Sequence, residues 1–178
     1  MKSNKGVTII ELIVVIAILG VLIGGVALTF RIVNSADIKG CTQTIDSSLE
    51  KVKNECMSKI DQSFLVLYKS TDNDYTGYYL GNVSRTDLAT YLPSPESDRK
   101  VGNENIQINI DMANDTTIDV SDTAVFFTFD RASGAFDYIY KGIPAISTNQ
   151  YPLSITITNG SSTSVINCIP ATGKHFVE

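Results

Sequence analysis

Few residues of this chain have the types and spacings that catalysis or metal binding requires. The only histidine is His175, three residues from the C-terminus, and the cysteines are Cys41, Cys56 and Cys168. These spacings contain no C-x-x-C pair, so we expect no zinc site built from histidine and cysteine. Because no nucleophile-elbow, phosphate-loop or metalloprotease motif occurs either, we expect no enzymatic activity, no metal and no cofactor. His175 is predicted to be a solvated residue of the tail.

Glu11 is the residue whose chemistry needs an explanation. It is the one ionisable side chain between Val7 and Phe30, in a run that is otherwise apolar. A carboxylate at the centre of a membrane-spanning helix costs about 2.5–3.5 kcal/mol on insertion scales, and less near the helix end. A plain membrane anchor has no use for such a charge.

Two common kinds of N-terminal segment fit this region only in part. A cleaved secretory signal would use Lys2 and Lys5 as its basic region and residues 33–36 (VNSA) as its cleavage site. Its apolar region would then exceed the usual length of about 7–15 residues. A simple signal anchor fits by length, because about 20 apolar residues span a bilayer, and its lysines would stay in the cytoplasm. Neither segment explains Gly6 or Glu11.

The stretch KGVTIIELIVVIAILG resembles the class III signal of type IV pilins and type II secretion pseudopilins. In that family a short basic leader ends in glycine, prepilin peptidase cleaves after it, the new N-terminal residue is N-methylated, and glutamate is the fifth mature residue. The resemblance implies a leader of residues 1–6, cleavage after Gly6, a methylated N-terminus at Val7, and Glu11 in the fifth position. Val7 departs from the phenylalanine that is usual there.

Cleavage would give Val7 a free ammonium group in or near lipid, which is a second charge that is costly to bury. Val7 and Glu11 are four residues apart and share a helix face, so the carboxylate could neutralise the amine of its own chain. The resemblance implies a different pairing, with the amine of the neighbouring subunit during filament assembly. Both pairings lower the cost of burial, but only the second sets the register between subunits.

A second helical pattern follows the apolar run. Apolar residues recur at spacings of three and four, with polar residues between them, as in an amphipathic helix. The stripe consists of Ile38, Cys41, Ile45, Leu49, Val52, Cys56 and Ile60. A single helix from Val7 to about Asp61 would be about 80 Å long. Its first half would lie in lipid or in a filament core, and its second half would pack on a globular head.

Cys41 and Cys56 both lie on this stripe. The helix between them separates them by about 22 Å, which excludes a disulfide between these two residues. We therefore expect both to be buried as small apolar side chains. A disulfide from Cys168 to Cys41 or to Cys56 stays open as the alternative.

Many pilins carry a proline near mature position 22, where the helix loosens in the filament, and Leu28 occupies that position here. Gly24 and Gly25 lie nearby, and each glycine costs up to about 1 kcal/mol of helix propensity. Two hypotheses follow. Either the helix melts around Gly24 and Gly25 in the filament, or these small residues let neighbouring helices pack closely.

The apolar period changes to two after Asp61, which predicts a β-rich head. SFLVLYKS and YTGYYLG predict a hairpin around the turn TDND. TAVFFTFDRASGAFDYIY and PLSITITNGSSTSVINCI predict two more hairpins, which turn at residues 132–135 and 159–164. NIQINIDM predicts a strand with one apolar face, formed by Ile106, Ile108, Ile110 and Met112.

One short helix is also predicted in the head. SRTDLATYLP has Ser84 or Thr86 as a candidate N-cap, and Pro93 ends the segment. The following stretch, PSPESDRKVGNEN, is predicted to be a polar loop.

The last part of the chain, from FTFDRASGAF to the tail PATGKHFVE, loosely resembles H-type minor pseudopilins and their fimbrial and competence relatives. This resemblance implies a minor subunit. Some of these relatives bind DNA through a basic tail, and the matching residues here are Gly173, Lys174 and His175, closed by Glu178. One lysine gives little affinity for phosphate, and the net charge of the chain is −5. Nucleic acid is therefore not favoured as a partner.

Together, these observations predict an α+β protein in which a long N-terminal α-helical spine packs on a β-rich antiparallel head, the lollipop form of pilins. The predicted parts are a cleaved leader (residues 1–6), a hydrophobic transmembrane and assembly helix (7–33) and a pilin-like globular domain (34–178). The predicted partners are prepilin peptidase, other pilin or pseudopilin subunits, and the membrane through the N-terminal helix.

The resemblance implies a single-pass precursor whose head lies outside the cytoplasm, and then a surface filament or a periplasmic pseudopilus. Two alternatives stay open at this point. One is a DNA-binding minor pilin of a competence pilus, and the other is a non-polymerising, signal-anchored surface protein.

Overall fold

The computed structural model describes residues 8–58 and 61–178, and for residues 23–34 only the helical backbone. Three predicted features lie outside the described residues. They are the cleavage site after Gly6, the mature N-terminus at Val7, and Ile60 at the end of the apolar stripe. One helix, α1 (Ile9–Ser58), has 50 residues and is therefore about 75 Å long.

The C-terminal half of α1 is amphipathic, as its sequence predicts. The described residues of the predicted stripe are at most 3% exposed, whereas the positions between them are mostly exposed or half-buried. These buried residues are Ile38, Cys41, Ile45, Leu49, Val52 and Cys56. Burial of each large aliphatic side chain contributes about 1.5–3 kcal/mol, so this half of the helix is fixed to the head by its own apolar face.

The described residues after α1 form two antiparallel sheets. The strands are β1 (Ser63–Thr71), β2 (Thr76–Ser84), β3 (Arg99–Gly102), β4 (Gln107–Met112), β5 (Thr117–Asp119), β6 (Val125–Phe127), β7 (Tyr140–Lys141), β8 (Ile146–Ser147), β9 (Pro152–Thr158), β10 (Thr163–Ile169) and β11 (Lys174–Val177). The strand order is β3-β2-β1-β6-β7-β8 in the six-stranded sheet and β11-β10-β9-β4-β5 in the five-stranded sheet. A short 3-10 helix, Pro170–Thr172, joins β10 to β11.

The main core lies between α1 and the inner faces of both sheets. The helix packs chiefly on β1 and β3 of one sheet and on β9, β10 and β11 of the other. The alternating side chains of Ile106, just before β4, and of Ile108, Ile110 and Met112 on β4 are at most 2% exposed, as predicted. The predicted α+β fold class, a helical spine packed on an antiparallel head, is confirmed.

The three predicted hairpins are also present. Strand β1 pairs with β2 across its whole length, from Ser63 opposite Ser84 to Thr71 opposite Thr76. Strands β9 and β10 pair from Thr158 opposite Thr163 onward. Strands β6 and β7 pair, and a single bridge between Phe129 and Phe136 continues this hairpin toward its turn.

The predicted helix in SRTDLATYLP is wrong. Ser84 is the last residue of β2, opposite Ser63, and the Arg85 backbone N–H donates to the Gln62 carbonyl oxygen at 2.9 Å. Residues 85–90 form consecutive turns instead. The pairing of Ser84 removes one candidate N-cap, and the other, Thr86, lies within the turns. The few residues left before Pro93 cannot repay the cost of helix nucleation.

The predicted polar loop PSPESDRKVGNEN is wrong in its second half, because Arg99–Gly102 forms the edge strand β3 beside β2. The first half covers the outer face of the six-stranded sheet. There the Asp98 carboxylate accepts hydrogen bonds from the Tyr68 hydroxyl at 2.7 Å and the Tyr91 hydroxyl at 3.0 Å. A second apolar cluster, which includes Phe64, lies on this sheet, and Leu88 and Tyr91 from the preceding segment pack against it.

Candidate functional site

The start of α1 is built by a reciprocal pair of residues. The Thr8 backbone N–H and the Thr8 hydroxyl both donate to Glu11 Oε2, at 2.9 and 3.0 Å. The Glu11 backbone N–H lies 3.3 Å from the Thr8 hydroxyl oxygen. This is a capping box, in which the N-cap residue and the third helical residue satisfy each other's backbone donors. The motif T-x-x-E in the sequence is the local signal for this capping box.

Only one oxygen of the Glu11 carboxylate is used in this pair. Among the described residues, Glu11 Oε1 accepts no hydrogen bond. The capping box therefore fixes the orientation of the carboxylate while Oε1 remains able to accept a hydrogen bond from a cation.

The helix around Glu11 exposes apolar side chains in every direction. They are Ile9, Ile10, Leu12, Ile13, Val14, Val15, Ile16, Ile18, Leu19, Val21 and Leu22, each at least 50% exposed. A helix that is apolar on all sides belongs in an apolar environment, and a patch of this size marks a surface for protein or lipid. Within the described residues, no helix combines the length and the hydropathy that a bilayer crossing needs.

Gly24 and Gly25 lie within the helical backbone of α1. The hypotheses of melting and of close packing around them both concern the filament, so both stay predictions. Gly20, one turn before them, has open space where a Cβ would be.

The three cysteines are buried free thiols, so the structure contains no disulfide from Cys168 to Cys41 or to Cys56. Burial raises the pKa of the Cys41 and Cys168 thiols to about 12. The Cys56 thiol donates to the Ser63 carbonyl oxygen at 3.2 Å. Because the thiolate is the reactive form of cysteine, these side chains serve as core residues. The burial that was predicted for Cys41 and Cys56 is confirmed.

His175 is not a solvated tail residue, and that prediction is wrong. Its side chain is 4% exposed, because residues 174–177 form β11 beside β10. His175 Nε2 lies 3.1 Å from the Asp46 carbonyl oxygen of α1, and 3.7 and 3.9 Å from the carboxylates of Asp46 and Glu50. In addition, Lys53 Nζ donates to the Gly173 carbonyl oxygen at 3.1 Å. The chain end is therefore held on the helix.

The N-terminal segment also matches a known family model. Residues 1–27 match the prokaryotic N-terminal methylation motif, in a range that contains Gly6, Val7 and Glu11. No curated protein and no solved structure shows significant similarity to the chain. The class III signal predicted from KGVTIIELIVVIAILG is thereby confirmed. Residues 1–27 carry the methylation motif of a prepilin-like protein, consistent with the type IV pilin and pseudopilin family.

Proposed function

We propose that this chain is a non-enzymatic structural subunit, cleaved by prepilin peptidase after Gly6, that assembles through α1 into a type IV pilus or a type II secretion-like pseudopilus. Its looser resemblance to H-type pseudopilins favours a minor subunit. One observation supports the proposal most directly. Exposed apolar side chains surround a single oriented carboxylate, that of Glu11, and this residue lies within a segment that matches a methylation motif.

The apolar half of α1 has two environments in this proposal. Before assembly, residues 7–33 lie in the bilayer with the leader lysines in the cytoplasm and the head outside it. After assembly, the same side chains pack against the helices of other subunits. Both environments remove from water the apolar surface that a single chain leaves exposed.

Glu11 has a defined part in this assembly. After cleavage, the Val7 ammonium of a neighbouring subunit is the cation that meets Glu11 Oε1, while Thr8 holds Oε2. A charged hydrogen bond of this kind is worth about 1.5–3 kcal/mol, and it forms only in one register between helices. Pairing within one chain is the competing arrangement.

Mass spectrometry of the processed protein from cells that contain prepilin peptidase tests the first step. We expect the loss of residues 1–6 and one added methyl group on Val7. A mature chain that starts at Met1 or at Ala36 would contradict the proposal.

Substitution of the acid tests the second step. We expect Glu11→Ala to be cleaved normally but to lose fibre formation, as scored by electron microscopy of sheared filaments. The matched control is Glu104→Ala, because Glu104 is exposed on the head, and this variant should assemble normally. Normal fibres from Glu11→Ala would show that the carboxylate has no role in assembly.

A further inference from the structure

A cavity of about 220 Å3 opens between the ends of the two sheets, and we name it the β5–β7 cavity. Met112 and Ile118, from the hairpin of β4 and β5, line its apolar part and are 2% and 7% exposed. Its polar part includes Asn114 and Thr116 from the turn of the same hairpin, together with Lys141 on β7 and Gln150 before β9.

Strands β5 and β7, beside the β5–β7 cavity, are not among the strands on which α1 chiefly packs. Strand β5 ends the five-stranded sheet, whose opposite edge is β11, and β7 lies beside the edge strand β8 of the six-stranded sheet. The helix packs instead on β1, β3, β9, β10 and β11. If α1 forms the filament core as proposed above, this side of the head faces outward.

The polar side chains of the cavity have hydrogen-bonding groups that the protein does not use, and those of Asn114, Thr116 and Lys141 are exposed to solvent. Among the described residues, the Lys141 ammonium makes no ion pair or hydrogen bond, and the same holds for the side-chain amide of Gln150. Asn114 Oδ1 accepts only the Thr116 backbone N–H, at 3.3 Å, so its NH2 group is unused. Amides supply donors and acceptors side by side.

The charge of the cavity is opposite to that of the whole chain. The net charge of the protein is −5, but Lys141 is the one charged residue that lines the cavity in the described part of the chain. No carboxylate there neutralises the lysine. A ligand that carries one negative charge would therefore gain an ion pair with Lys141. Asp115, in the turn between the lining residues Asn114 and Thr116, does not line the cavity and is the neighbouring acid that opposes this gain.

Size and chemistry together define the ligand. Pockets for drug-sized molecules measure about 300–1,000 Å3, so this cavity holds one ring and no extended chain. A pyranose ring presents several hydroxyl groups to amides and C–H groups to an apolar floor. We propose that the β5–β7 cavity binds one uronic-acid residue of an extracellular glycan. Lys141 pairs with the carboxylate, and the amides of Asn114 and Gln150 bind ring hydroxyls.

Calorimetric titration of the full-length protein in detergent tests the proposal, with methyl β-D-glucuronide as the acidic probe and methyl β-D-glucoside as its neutral counterpart. We expect the glucuronide to bind about fivefold more tightly, as one accessible ion pair allows. Lys141→Met keeps the aliphatic stem and should make the two affinities equal. Gln150→Ala should weaken both probes by a similar factor.

The matched control is Lys100→Met, because Lys100 is an exposed lysine on β3, and it should keep the preference for the glucuronide. Absence of saturable glucuronide binding, or a preference that survives Lys141→Met, would overturn the proposal. Acetylation of the wild-type protein by acetic anhydride is a second test that needs no variant. The glucuronide should slow the acetylation of Lys141 and leave the rate at Lys100 unchanged. Equal slowing at both lysines would also overturn it.

The titration uses unassembled protein, so its outcome is independent of filament formation. The outward orientation of the cavity and the extracellular source of the glycan rest on the proposed function. Failure of Glu11→Ala to block assembly would leave the sugar site unaffected, and failure of sugar binding would leave the filament proposal unaffected.

Discussion

His175 Nε2 lies 3.1 Å from the backbone carbonyl oxygen of Asp46, although 129 positions separate these residues in the chain. A carbonyl oxygen can only accept, so Nε2 donates in this contact. The His175 ring also packs on the Phe136 ring in an edge-to-face arrangement, with the ring centroids 6.2 Å apart. One imidazole thus connects the last strand, the helix and the core.

Replacement of this imidazole should loosen the chain end. We expect His175→Ala to lower the free energy of unfolding by about 1–3 kcal/mol, since a hydrogen bond and buried ring contacts are lost together. Thermal unfolding of the full-length protein in detergent measures the change. Lys174→Ala is the control, because Lys174 is exposed and its loss should cost less than about 0.5 kcal/mol. Equal effects of the two variants would contradict the contact.

Gly173 should tolerate no side chain. Its φ is +59°, and a Cβ there would overlap the carbonyl oxygen of Gly134. We expect Gly173→Ala to destabilise by more than about 4 kcal/mol, because backbone rather than a flexible side chain would have to move. Gly160→Ala is the matched control, since φ there is +81° but the space is open. It should cost only the strain of the left-handed conformation, about 1–2 kcal/mol. Similar melting temperatures for both variants would argue against the overlap.

Asp98 should contribute more to stability than its half-buried place before β3 indicates. Asp98→Ala leaves the hydroxyls of Tyr68 and Tyr91 without their acceptor, and we expect a loss of about 2–4 kcal/mol. Tyr91→Phe removes one donor and should cost about 1 kcal/mol. Chemical denaturation compares the two variants. A smaller loss for Asp98→Ala than for Tyr91→Phe would refute the shared-acceptor arrangement.

Stability should fall in alkaline solution. Burial raises the pKa of Cys41 and Cys168 to about 12 and that of Tyr78 also to about 12. The unfolded chain releases these protons at lower pH, so stability is intact below about pH 8.5 and decreases as the pH rises toward 12. Denaturation midpoints between pH 8 and pH 11 measure this slope. A flat profile would show that these groups are not protected from ionisation.

The buried thiols should also resist alkylation. We expect iodoacetamide at pH 8 to label none of Cys41, Cys56 and Cys168 in the folded protein, and all three after denaturation, because buried protonated thiols are poor nucleophiles. Mass spectrometry counts the labels. One native label, or a pair of cysteines that stays unlabelled after denaturation until a reductant is added, would contradict three free buried thiols.

Much of the fold follows from local patterns of the sequence. The stripe from Ile38 to Cys56 and the alternation from Ile106 to Met112 predicted their elements, because each pattern repeats the period of its own backbone. Strand β3 was not predicted, because its residues show no apolar period. Its residues are Arg99, Lys100, Val101 and Gly102, of which only the glycine is buried, and pairing with β2 rather than side-chain burial makes the segment a strand.

The site was predictable only where its signals are close together in the chain. Gly6, Val7 and Glu11 lie within six positions, and the motif match contains all three. The capping role of Thr8 is also encoded locally, in the motif T-x-x-E. The contact between His175 and Asp46 and the β5–β7 cavity depend on how distant segments meet in three dimensions. No local spacing encodes such meetings.

The attachment of the last strand has a practical consequence for anyone who labels this protein. Glu178 Oε2 accepts a hydrogen bond from Asn167 at 2.8 Å, and the Glu178 backbone N–H donates to the Val165 carbonyl oxygen. A fluorescent protein or an affinity tag fused there would strain the edge strand β11, which packs on α1. Gly160 lies in the exposed turn between β9 and β10, and nothing lies within 4 Å of an added Cβ there. Insertion of a reporter at this turn should disturb the fold less.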